Sequence, residues 1–90
     1  MLARYRPAHG AIFATLTDGA VVLDIQTKKY FSLNDTGAVV WACIRDGLNA
    51  DEMVAALLRD YDVEEEDARS AVESLLRSLE AEQLIEQVKR

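Results

Sequence analysis

The stretch AVVLDIQTKKYFSLNDTGAVVW, residues 20–41, changes its hydrophobic period once, and the change sets the fold. Ala20 to Ile25 is an apolar, β-branched run, Gln26 to Lys28 is a reversing turn, and Lys29 to Leu33 resumes with β-forming aromatics. Asn34 then stops the second strand. An Asn ahead of an apolar-periodic segment is a preferred N-cap, because its side-chain oxygen accepts a backbone N–H that the first helical turn leaves unpaired. Upstream, Ala11 to Leu16 reads as a further strand. Thr17-Asp18-Gly19 supplies its turn: Gly19 tolerates positive φ and Asp18 can hydrogen-bond its own backbone. The connections are too short for parallel crossovers, so the three strands form an antiparallel meander.

Downstream the period becomes 3.6. Gly37, Val40 with Trp41, Ile44 and Leu48 share one face, and Gly47 is placed as the C′ residue of a helix over 35–46. Asn49 with Glu52 has capping-box spacing, and Leu48 with Met53 has the spacing of a hydrophobic staple. The second helix, over 50–61, carries the stripe Met53, Val54, Leu57, Leu58 and Tyr61. A third, over 64–82, turns Ala68, Val72, Leu75, Leu76 and Leu79 inward, and Leu84-Ile85 packs back on the body. The expected fold is α+β and winged helix-turn-helix-like, a three-stranded antiparallel β-meander followed by three α-helices. Residues 1–10, with Arg4, Arg6, Pro7 and Gly10 out of any period, are read as an irregular lead-in to one domain over 11–90.

Ninety residues, half of them hydrophobic, fit one small domain of modest stability unless a partner adds to it. The net charge of −6 is uneven: residues 1–50 carry five Lys/Arg against four Asp/Glu, whereas residues 51–90 carry five against twelve. That balance counts against nucleic acid, whose binding draws on basic side chains displacing counterions. Cys43 is the only cysteine, so there is no internal disulfide and no cysteine-rich zinc site; a reducing cytoplasm is the expected setting. The longest apolar run, Ala38 to Ile44, has seven residues, where a membrane span needs about 20. No secretory signal is expected either.

Catalytic chemistry finds few candidates. His9 and Cys43 are the elements of a nucleophile–base pair, but Cys43 sits among Trp41, Ala42 and Ile44, not in the electropositive, accessible setting a thiolate needs. There is no phosphate loop, HExxH or GxSxG. Glu64, Glu65, Glu66 and Asp67, near Asp60 and Asp62, lack the glycine and terminal glutamate of a calcium loop; acids in a first helical turn are favoured by the helix dipole. No enzyme activity, cofactor or metal is expected. Trp41 is read as a core residue.

Two surfaces remain. Lys28 to Ser32 forms an edge strand with unpaired backbone groups. Arg69, Glu73, Leu76 and Arg77 form a mixed stripe beside the core face of the third helix. If that helix packs along the strand, the two make a groove in which an extended peptide can add as a fourth strand, held by main-chain hydrogen bonds and selected by apolar pockets.

The ordered set Leu23-Asp24, Tyr30, Leu33-Asn34, Gly37, Trp41, Tyr61-Asp62 and Leu84-Ile85 resembles the PqqD-like domains, also called RiPP recognition elements, which bind leader segments of ribosomally made precursor peptides. The likeness covers roughly residues 12–86. Tyr30, Leu33-Asn34 and Gly37 match the spacing most often carried by the stand-alone proteins of lasso-peptide clusters. The resemblance implies a leader paired with the third strand and lying against the third helix. Lys28, Lys29, Tyr30, Phe31 and Ser32 then form one side of the site, and Arg69, Val72, Glu73, Leu76 and Arg77 the other. It further implies delivery of the leader to a separate cysteine protease, followed by an ATP-dependent cyclase. Rival readings are a peptide chaperone for a radical-SAM enzyme in pyrroloquinoline quinone or other RiPP biosynthesis, a winged-helix DNA-binding regulator, and a dimerisation module; monomer and dimer both stay open.

Overall fold

The computed structural model describes residues 3–17 and 19–88. In chain order they form β1 (Tyr5–Pro7), β2 (Ala11–Leu16), β3 (Gly19–Asp24), β4 (Tyr30–Leu33), α1 (Asp35–Arg45), α2 (Ala50–Asp60), α3 (Glu65–Ala81) and β5 (Ile85–Gln87). β2, β3 and β4 are the expected antiparallel meander, in that order, and three helices follow. Asp18, read as a turn residue hydrogen-bonding its own backbone, lies outside the described residues.

The caps mark each change of period. Asn34 Oδ1 accepts from the Gly37 N–H at 2.8 Å and starts α1. At its far end Leu48 N–H donates to the Cys43 carbonyl and Gly47 N–H to that of Ile44, with Gly47 at φ +76°, a Schellman closure. Asn49 and Glu52 form a reciprocal capping box at 2.8 and 2.9 Å. α3 has no side-chain cap and relies on Glu65, Glu66 and Asp67 in its first turn. A second Schellman pattern closes it, with Gln83 at φ +61° and Leu84 N–H donating to the Leu79 carbonyl.

The core gathers the inward positions of all these elements. Ala20, Val22 and Leu33 come from the meander, Val40, Trp41 and Ile44 from α1, Met53, Val54 and Leu57 from α2, and Ala68, Val72, Leu76 and Leu79 from α3. Trp41 is buried and stacks on Phe13 with ring centroids 6.3 Å apart. Leu84 and Ile85 are buried too, and they bring the chain end into the fold.

The lead-in departs from expectation. Residues 5–7 are not irregular: β1 pairs antiparallel with β5, Tyr5 opposite Gln87 and Pro7 opposite Ile85. Val88 N–H donates to the Arg4 carbonyl and Ala8 N–H to that of Leu84, so hydrogen-bonded pairs fall at residues 4, 6 and 8. Pro7 occupies the intervening position, where no N–H is asked of it. Arg4 also donates to the Gly47 carbonyl at 2.8 Å and pairs with Glu52, and Arg6 pairs with Glu86. A strand whose partner lies about eighty residues away leaves no local signal.

Candidate functional site: an open strand edge beside an uncharged groove

Among the described residues β4 has a strand partner on one side only. Its phase follows from the Asp24 N–H, which donates to the Lys29 carbonyl at 2.9 Å. Alternation from that pair makes Val22–Phe31 and Ala20–Leu33 the hydrogen-bonded pairs, and Leu23–Tyr30 and Val21–Ser32 the others. The N–H and C=O groups of Phe31 and Leu33 therefore face β3, while those of Tyr30 and Ser32 face the open edge. Lys29 is likewise turned inward at its carbonyl, and its N–H meets Thr27 Oγ1 at 3.3 Å. Of the strand residues expected to offer backbone contacts, Tyr30 and Ser32 are the two whose main chain is free to make them.

The hairpin ahead of this edge is fixed by Asp24. Its Oδ1 accepts from Gln26 N–H at 2.8 Å, and Lys28 N–H donates to its carbonyl with Lys28 in the left-handed region at φ +68°. Both Lys28 and Lys29 are exposed at the tip.

Beside the edge lies a groove of about 580 Å³. Its floor is apolar, with Leu33, Val40, Leu57, Val72 and Leu75, and its rim carries the hydroxyl or amide groups of Ser32, Asn34, Thr36, Ser74 and Ser78. Among the described residues no charged side chain lines it. Gly37 lets strand and helix close up here, since a Cβ on it would stand 3.2 Å from both Leu33 Cδ2 and Asn34 Oδ1. Apolar floor, hydroxyl rim and unpaired strand edge together suit an extended, uncharged peptide segment. Among the described residues no histidine lines the groove to activate those hydroxyls. Burial, then the nearby Asp46 carboxylate, push the Cys43 thiol up, away from a reactive thiolate, and His9 is exposed in a turn. Among the described residues no cluster of His, Cys, Asp or Glu has the arrangement of a metal site, and no helix is long and apolar enough to cross a membrane.

The helix side of the site differs from the expected stripe. Only Ser32 and Val72, of the ten candidates, line the groove. Glu73, Leu76 and Arg77 lie on the other flank of α3, around a separate recess with Ala3, Tyr5, Ala50 and Glu80. Leu76 is 5% exposed and belongs to the core. Arg69 turns to the first turn of α2 and donates to Asp51 at 2.8 Å. Tyr30 is 71% exposed on the outer face of the sheet, and Phe31 packs inward against the core. The groove flank of α3 is Ala71, Leu75 and Ser78, which the sequence reading passed over apart from placing Leu75 in the core. Their signal is a stripe of small residues, Ala71, Ser74 and Ser78, beside Leu75, which lets another chain approach closely.

A family model described as coenzyme PQQ synthesis protein D (PqqD) matches residues 19–85. The chain belongs to the PqqD family. The match begins at β3 and ends at β5, so it includes both walls of the groove. Two solved structures share this PqqD fold. One, TbiB1 in complex with the TbiA(beta) leader peptide, is 26% identical with a TM-score of 0.82, covering 94% of this chain and 99% of that one. The other, lasso peptide synthetase B1 complexed with the leader peptide, is 28% identical with a TM-score of 0.82, covering 91% and 96%. No curated protein sequence matches the chain.

Proposed function

We propose that this PqqD-family chain is the leader-binding protein of a lasso-peptide system. It captures the leader of a ribosomally made precursor as an added strand on β4. The observation that carries the reading is the open Tyr30–Ser32 edge lying beside an uncharged groove, in a fold whose two structural matches both hold leader peptides. Main-chain bonds to Tyr30 and Ser32 supply affinity that tolerates sequence variation, and alternate leader side chains enter the groove over Val72 and Leu75. Lys28 and Lys29 stand at the end of this strand, where they meet acidic leader residues. The chain performs no chemistry itself. It raises the effective concentration of the leader at a separate cysteine protease, ahead of an ATP-dependent cyclase, in the cytoplasm.

The description of the family model favours a second client: a precursor delivered to a radical-SAM enzyme of quinone cofactor synthesis. The site is the same and only the leader differs. Fluorescence polarisation with labelled leaders of both classes distinguishes them, and saturable binding of the lasso leader alone supports the first reading. Ser32→Pro tests the added strand. The ring removes an N–H that faces the open edge and leaves the β3 ladder intact, so the fold is retained while leader affinity drops at least tenfold. Unchanged affinity in this variant moves the leader away from the β4 edge.

A further inference from the structure

The open edge of β4 runs out on a residue that belongs to two elements at once. Alternation turns the main chain of Tyr30 and Ser32 outward, and the next residue in that phase is Asn34. Asn34 is still extended, at φ −83° and ψ −173°, so its N–H continues the edge. Its carbonyl does not, because it accepts from the Ala38 N–H at 2.9 Å and so belongs to α1. The edge therefore keeps a main-chain donor at this point and loses its main-chain acceptor.

The side chain is oriented by the same helix. Oδ1 accepts from the Gly37 N–H at 2.8 Å and from the Thr36 hydroxyl at 3.0 Å. The Gly37 N–H can only donate, so the arm it meets is the oxygen and the other arm is Nδ2, with two N–H groups. Among the described residues the side-chain hydrogen bonds of Asn34 all run through Oδ1. The residue is exposed and lines the groove together with Ser32, Thr36 and Gly37. An amide pinned through its oxygen has little rotamer freedom left to lose when its nitrogen binds a guest.

A strand added to β4 thus meets one donor and one acceptor at Tyr30 and at Ser32, but donors alone at Asn34. We propose that Asn34 is a leader-binding residue that ends the added strand: Nδ2 donates to a carbonyl oxygen of the leader beyond the residue paired with Ser32, while Oδ1 goes on capping α1. This rests on the leader-binding reading above. The two roles sit on opposite arms of one amide, so the place where the chain turns from strand to helix is also the place where the leader's main-chain ladder stops.

Asn34→Ser and Asn34→Asp separate the two arms. Both keep an oxygen for the start of α1, and Asn, Asp and Ser are near-equal N-caps. Both remove Nδ2, and Asp also sets a carboxylate oxygen against the leader carbonyl. The probe is the fluorescein-labelled lasso leader, followed by polarisation, with the thermal midpoint of each variant read by circular dichroism. Leader affinity is expected to fall about fivefold in Asn34→Ser, the size of one neutral hydrogen bond, and more than about tenfold in Asn34→Asp. Both midpoints are expected within about 3 °C of the original chain. Unchanged affinity in Asn34→Ser overturns the proposal, and a loss confined to Asn34→Asp then reports only the new charge. Affinity losses that merely track lowered midpoints also overturn it, leaving Asn34 a helix cap. Failure of the original chain to bind leader removes the underlying reading and shows before any variant is made.

Discussion

One flank of α3 carries Ala71, Leu75 and Ser78 beside the open edge of β4, and the other carries Glu73, Leu76 and Arg77 against Tyr5 and Ala50. Both stripes have helical spacing, and both adjoin the same buried row of Ala68, Val72 and Leu79. They lie roughly half a turn apart at 100° per residue. The first flank faces an element with unpaired backbone groups. The second borders Tyr5 of β1 and Ala50 of α2, whose first turn ties Asp51 to Arg69, and there Leu76 joins the core while Glu73 and Arg77 stay exposed. A helix in a small domain can thus use one flank to complete the core and leave the other for a partner, and the neighbouring elements decide which is which.

The strongest way to break this comparison is Leu76→Asp. If the Tyr5 flank is core, a carboxylate there is buried without a partner and costs about 3–5 kcal/mol, enough to unfold a marginally stable domain. Circular dichroism is expected to show no cooperative thermal transition. A folded variant that has lost leader affinity would instead place the peptide on that flank.

Gly19→Ala acts from the strand side of the groove. The new Cβ would stand 2.5 Å from the Leu33 carbonyl oxygen, and the backbone sits at φ +136°, a region that side-chain-bearing residues rarely occupy. A loss of about 2–3 kcal/mol in urea unfolding is expected, accompanied by weaker leader binding because Leu33 forms part of the groove floor. Stability equal to that of the original chain would show that β4 shifts freely against β3.

Leu75→Asp sharpens the comparison with the smallest effect on the fold. Leu75 is half-buried on the groove flank, so its carboxylate stays hydrated in the free protein and loses that hydration only under a bound leader. Leader affinity is expected to fall about tenfold, or about 1.4 kcal/mol, with the melting temperature little changed. If affinity holds, the leader does not cross the Leu75 flank.

Much of this was legible in the sequence. The switch from strand to helix at Asn34, the Asn49–Glu52 box, the Gly47 stop and the core stripes, apart from the exposed Leu58 of α2, are properties of residues three to five positions apart, and such short-range patterns survive in a linear reading. The meander followed by three helices came out accordingly, as did the PqqD resemblance. Tertiary structure alone decided three things. It rolled α3 so that Leu75 rather than Leu76 lines the groove beside β4, because two equally regular flanks can only be told apart by what packs against them. It turned Tyr30 and Ser32, not Lys29 and Phe31, toward the open edge, because hydrogen-bond phase is set by the Asp24–Lys29 pair across the turn. It also made a strand of the proline-bearing lead-in, because β1 owes its order to β5, and a pairing between residues about eighty positions apart exists only after the core between them has closed.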